Sequence, residues 1–130
     1  MKVLVDTSVW SAVLRRSKPD PKLTDIVTEL VKEGRLLLIG PIRQELLSGI
    51  KEKAQFEKLR KRLAAFPDVP LQTKHFEVAA RFYNKCRAKG IQGSHIDYLI
   101  CAVCDCEKTA ILTIDRDFEG YAKHLDIRLY

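Results

Sequence analysis

The sequence predicts an α/β protein, a parallel sheet with helices on both faces forming an α/β/α sandwich. Short apolar runs recur at residues 2–5 (KVLV), 36–39 (LLLI), 110–113 (AILT) and 127–130 (IRLY). Segments of helical periodicity separate them, and strand–helix–strand crossovers pair strands in parallel. With 130 residues, 46% of them hydrophobic, the chain can build one core but not two, so a single domain over residues 1–130 is expected.

Along the chain, KVLV is the first strand, and Asp6, Thr7 and Ser8 offer N-cap chemistry for a helix reaching about residue 14. After Pro19 and Pro21, the residues Leu23, Ile26, Val27, Leu30 and Val31 recur at helical spacing, and Gly34 stops that helix. LLLI reads as a buried strand. Gly40-Pro41 then opens a third helix, PIRQELLSGI, with proline suited to its first turn. Residues 52 to about 66 form a charged helix ended by Pro67 and Pro70, and residues 73–89 form another closed by Gly90. Ser94 starts a helix to about residue 106; AILT, a short helical stretch from 116 to about 124 and IRLY complete the fold.

Lys2 precedes a run of only strand length, and no apolar stretch approaches bilayer length, so a soluble, cytoplasmic protein without a secretory signal is expected. Of four cysteines, Cys86 stands alone while Cys101, Cys104 and Cys106 share one helix. Cys101 and Cys104 make a single CxxC with no second pair, so small buried residues are the better reading than structural zinc. The net charge of +6, from 23 Lys+Arg against 17 Asp+Glu, favours a polyanionic partner such as nucleic acid, although solubility alone also explains a basic balance.

In a parallel sheet, ligands bind beyond the carboxyl ends of the strands. Asp6 and Asp115 each follow a strand, where either could instead cap the next helix. Glu45 sits on the edge of the stripe Ile42, Leu46, Gly49 and Ile50. No cation stands three or four residues away to pair with it, though a simply exposed Glu reads equally well. Asp97 fits a capping box with Ser94, yet it also begins the inward stripe Asp97, Ile100, Cys101 and Cys104, where no Lys or Arg is in helical reach. Two from strand ends and two from the inward faces of helices near their N-termini can converge on one cleft. Carboxylates ~4 Å apart repel by about 4 kcal/mol at an effective dielectric of about 20, so such a cluster takes up protons or binds a divalent ion. All-oxygen donors select Mg²⁺ or Mn²⁺ over zinc.

The opening VLVDTSVW, the helical Glu45 after a proline turn, SHIDYLICAVC and LTIDRDF resemble the four acidic motifs of PIN-domain proteins, in order, from residue 2 to about 129. The pattern is similar to the VapC-type ribonuclease toxins of toxin–antitoxin pairs. The resemblance implies a PIN-type sandwich and makes Asp6, Glu45, Asp97 and Asp115 the metal-binding acids, with Asp117 as a substitute for or supplement to Asp115. Thr7, Ser8 and Thr113 would line the site, with capping the stronger explanation for the first two. It also implies an endoribonuclease using Mg²⁺ or Mn²⁺ to activate water, a homodimer, and an antitoxin whose C-terminal segment covers the cleft. Where this family often has alanine, the chain has Cys101 and Cys104.

A basic rim is expected from Lys51, Lys53, Lys58, Arg60, Lys61 and Arg62, and from Arg15, Arg16 and Lys18, each of which reads equally as solvated surface. Phosphoacceptor receivers and haloacid-dehalogenase phosphatases fit less well. AILTID ends in Asp rather than the Lys of a receiver, and VDTSV lacks the second Asp of D-x-D. The remaining alternatives are a PIN-type RNA-binding or partner-binding module that does not cleave, and a housekeeping RNA-processing nuclease.

Overall fold

The computed structural model describes residues 1–15 and 17–130; Arg16, expected in the basic rim, lies outside them. Strands β1 (Val3–Val5), β2 (Leu36–Leu37), β3 (Ala110–Leu112) and β4 (Arg128–Leu129) form one parallel sheet in the order β2-β1-β3-β4. Val5 pairs with Leu112 at the carboxyl ends of β1 and β3. Every residue of these two strands is buried. Since successive side chains point to opposite faces, both faces of the sheet are covered, as the α/β/α sandwich requires.

The chain leaves β1 toward β2 on one side and returns to place β3 on the other. Strand order therefore reverses between β1 and β3, the crevice where ligands of such sheets bind.

Helices α1 (Thr7–Trp10), α2 (Pro21–Lys32), α3 (Gly40–Leu47), α4 (Lys53–Leu63), α5 (Thr73–Ala88), α6 (His95–Glu107) and α7 (Asp117–Ala122) connect the strands. Their ends follow local chemistry. The Asp20 carboxylate accepts from the Leu23 N–H at 3.1 Å and Pro21 opens α2. The Ser94 hydroxyl accepts from the Asp97 N–H at 3.2 Å. Gly34, past the end of α2, takes a φ of 66°, open to glycine at little cost.

Several expectations are corrected. The helix after β1 is α-helical for four residues and continues as a π-helical turn, Ser11–Arg15. In α2 only Leu23, Val27 and Leu30 are buried; Ile26 and Val31 are 36% and 43% exposed, so the buried stripe is narrower than the apolar one. LLLI pairs with β1 only at Leu36 and Leu37. Leu38 bridges instead to Asp68, and both Leu38 and Ile39 are fully buried. Helix α3 ends at Leu47, so Gly49 and Ile50 fall outside it.

Arg43 fastens α3 to the end of α4. Its Nε donates to Asp68 Oδ1 at 3.0 Å, Nη1 to the Leu63 carbonyl at 2.9 Å, and Nη2 to the Phe66 carbonyl. Cys86, Cys101 and Cys104 are buried in the core.

Candidate active site

Asp6 follows β1 directly and is 6% exposed. Its Oδ2 accepts from Ser8 Oγ at 2.7 Å and from Thr113 Oγ1 at 2.8 Å. Both hydroxyl protons are thereby used, so the two oxygens, 3.3 Å apart, act toward the backbone as acceptors. Ser8 Oγ takes the Ile114 N–H at 3.2 Å, and Thr113 Oγ1 takes the Asp115 N–H at 3.0 Å. This lattice ties the end of β1 to the loop after β3. The Asp6 side chain makes no capping bond, contrary to the simplest reading of its position.

Asp115 does cap locally, its Oδ1 accepting from the Asp117 N–H at 2.9 Å. Asp117, exposed at the start of α7, stands beside it. Glu45 is exposed in the second half of α3 rather than on an inward face near its start, because Ile42 and Leu46 carry the buried stripe, and its Oε2 accepts from Thr7 Oγ1 at 3.3 Å, next to Asp6. Thr7 and Ser8 therefore serve carboxylates rather than the helix terminus for which their types are suited.

Asp97, half-buried in the first turn of α6, turns its carboxylate to Tyr121, whose hydroxyl donates to Oδ2 at 2.7 Å. Burial holds this carboxyl above the ordinary range; the hydroxyls of Tyr121 and Ser94 pull the other way, and the charges of Asp115 and Asp6 add to the rise. Asp97 thus feels two of the other acids, although it comes from a different element.

The sequence-predicted acids share one end of the sheet. No Lys or Arg forms a salt bridge to any of the five among the described residues. As placed, no three Asp, Glu, His or Cys side chains among them stand close enough to hold one ion. The donor set is nonetheless all oxygen and lacks a cation, which suits a hard dication; closing round one requires side-chain rotation, least restricted at exposed Glu45.

The PIN domain family model matches residues 3–124. The chain belongs to the PIN-domain family. No curated protein sequence is significantly similar to it. Solved structures similar to this PIN domain include FitAcB from Neisseria gonorrhoeae, at 19% identity and a TM-score of 0.81 over 98% of this chain and 96% of that one. VapBC2 from Rickettsia felis, bound to a DNA fragment from its promoter, gives 16% identity and 0.81 over 100% and 98%. VapBC-5 from Mycobacterium tuberculosis, a member of the VapBC family of toxin-antitoxin systems, gives 18% and 0.72 over 99% and 98%. At these identities the likeness is one of fold.

Two residues of this PIN domain's site escaped sequence reasoning, Tyr121 and Gly93. The available signal was that a tyrosine buried by its ring needs a partner for its hydroxyl. The basic rim is partly corrected too. Arg15, Lys51, Lys58 and Arg62 line a cleft of about 590 Å³ just past the end of α3, whereas Arg60 is drawn onto Glu57 at 2.8 Å.

Proposed function

We propose that this PIN domain is a metal-dependent endoribonuclease and the toxin of a toxin–antitoxin pair. One observation carries the reading: acids from all four sequence motifs gather at the carboxyl ends of β1 and β3, without a Lys or Arg salt bridge among the described residues.

Asp6, Glu45, Asp97 and Asp115, with Asp117 beside them, would hold Mg²⁺ or Mn²⁺. When bound, a hard dication supplies Lewis-acid polarisation of a phosphate and a more acidic water. The chain's own groups do the rest. Ser8 and Thr113 hold Asp6 in one orientation, and Thr7 holds Glu45 beside it. The carboxylates accept protons and do not act as nucleophiles.

Arg15, Lys51, Lys58 and Arg62 give RNA a cationic bed that offsets the repulsion of its phosphates by the acids. The fold shared with VapBC-5, a member of a toxin-antitoxin family, supports a protein antitoxin as partner, and a homodimer belongs to the same reading. Among the described residues no helix is long and apolar enough to cross a membrane. A toxin acting on RNA would work in the cytoplasm, and that location belongs to the same reading.

The test is cleavage of single-stranded RNA with Mg²⁺ or Mn²⁺ by the wild type, Asp6→Asn and Asp97→Asn. Metal-dependent cleavage by the wild type alone is expected, and equal cleavage by all three would remove the metal-site reading. Growth arrest on expression, relieved by a small neighbouring gene product, separates a toxin from a housekeeping nuclease.

A further inference from the structure

We propose that Tyr121 is a positioning residue for Asp97, and that residue 93 must be glycine because the Tyr121 hydroxyl occupies the space a side chain would need. The inference rests on the metal-site reading above.

The Tyr121 ring is completely buried. It lies between two aromatic neighbours, Tyr98 with ring centroids 5.0 Å apart and Phe118 at 5.1 Å. With its ring held by these neighbours, the hydroxyl donates to Asp97 Oδ2 at 2.7 Å. On a further side stands the backbone of Gly93. A Cβ there would fall 2.5 Å from the Tyr121 oxygen and 2.9 Å from Cε1 and Cζ, closer than such atoms approach. Gly93 is not among the glycines with positive φ, which are Gly34, Gly49 and Gly90. Space, not backbone conformation, therefore demands glycine at this position.

The geometry answers a problem that Asp97 poses. Its backbone N–H is already taken by Ser94, and a capping-box rotamer would turn the carboxylate back toward the helix terminus. The Tyr121 hydroxyl takes it the other way, toward α7 and the acids beyond β3. A phenol suits this task because it is a neutral donor. A Lys or Arg in its place would orient Asp97 equally well but would neutralise the charge that a dication needs. One hydrogen bond on Oδ2 leaves Oδ1 for another partner.

The experiment is calorimetric titration of the purified protein with Mn²⁺, alongside the metal-free thermal midpoint and steady-state RNA cleavage. Tyr121→Phe removes one oxygen and keeps the ring; we expect Mn²⁺ affinity to fall about 10-fold, with kcat reduced and KM unchanged. Gly93→Ala should weaken Mn²⁺ binding in the same direction by displacing the ring. Tyr83→Phe, whose ring also meets Tyr98 but whose hydroxyl does not touch Asp97, should bind Mn²⁺ as the wild type does. If Gly93→Ala fails to fold, Tyr121→Phe alone decides. Unchanged or tighter Mn²⁺ binding by folded Tyr121→Phe overturns the positioning role and leaves the nuclease reading standing. A wild type that binds no Mn²⁺ and cleaves no RNA overturns both.

Discussion

Thr113, just past β3, donates a 2.8 Å hydrogen bond to Asp6, just past β1. The same oxygen accepts the Asp115 N–H at 3.0 Å, so one hydroxyl orients the first acid of the site and the backbone of the last. Removing it leaves the Asp115 N–H without its acceptor and Asp6 with the Ser8 hydroxyl alone.

Thr113→Val keeps the shape and removes the hydroxyl. We expect cleavage to fall on the order of 10-fold, as for other groups that orient metal-binding side chains, and stability to drop by about 1–2 kcal/mol. Initial rates and urea denaturation of the same preparation check both.

Asp97 has its folded-state pKa raised, by burial first and then by Asp115 and Asp6, from an ordinary value of 3.8. Ionisation therefore opposes folding. The penalty is absent below the unfolded value, grows as pH rises from about there through the raised folded value, and is complete above it. Asp97→Asn should raise the metal-free thermal midpoint at pH 7, with the gain vanishing toward pH 3. Added Mn²⁺ should stabilise the wild type more than the variant. Melting curves across that range check the sign.

Charge reversal in the basic cleft, Lys58→Glu with Arg62→Glu, should weaken RNA binding without abolishing metal uptake. The slope of log affinity against log salt should become shallower by about 0.7 for each RNA phosphate that the variant no longer neutralises. Binding titrations at several salt concentrations measure it.

Arg43→Lys keeps the charge but loses the fork that reaches Asp68 and the Leu63 and Phe66 carbonyls together. Loss of about 2 kcal/mol is expected, read from denaturation midpoints.

The native thiols should react in a definite order. Cys86, Cys101 and Cys104 are buried, and burial pushes the Cys104 thiol up to about 12 and Cys101 higher still, whereas Cys106 is partly exposed. A disulfide reagent at pH 8 should find Cys106 first and the other three only on unfolding, followed by absorbance and mass.

Helix boundaries were legible where a single local signal decides them, as with Ser94 before α6 and Gly90 after α5, whereas Pro21, read as part of the preceding turn, opens α2. Burial was less legible. Ile26 and Val31 have the right period for the core, but period states only which residues share a face, and the width of the buried stripe depends on what packs there. Leu38 likewise reads as strand, yet it is paired by Asp68, thirty residues on, rather than by β1.

Within the candidate site, residue type and position singled out Asp6 and Asp115 after buried strands and Asp97 on an inward helix face, whereas Glu45, expected on an inward face as well, is exposed. Those local rules could not choose between capping and chemistry. Asp115 caps its own turn while Asp6 does not, and both stand at the same edge. By itself the sequence determined most of the elements and the parallel sheet, since strand and helix periods and caps act over a few residues, and it named the candidate acids through their resemblance to the PIN motifs. Only the tertiary structure decided what each acid meets: Thr113 for Asp6, Thr7 for Glu45, Tyr121 for Asp97. A hydrogen bond is made over about 3 Å of space, and distance along the chain says nothing about it until the sheet has brought its strands side by side.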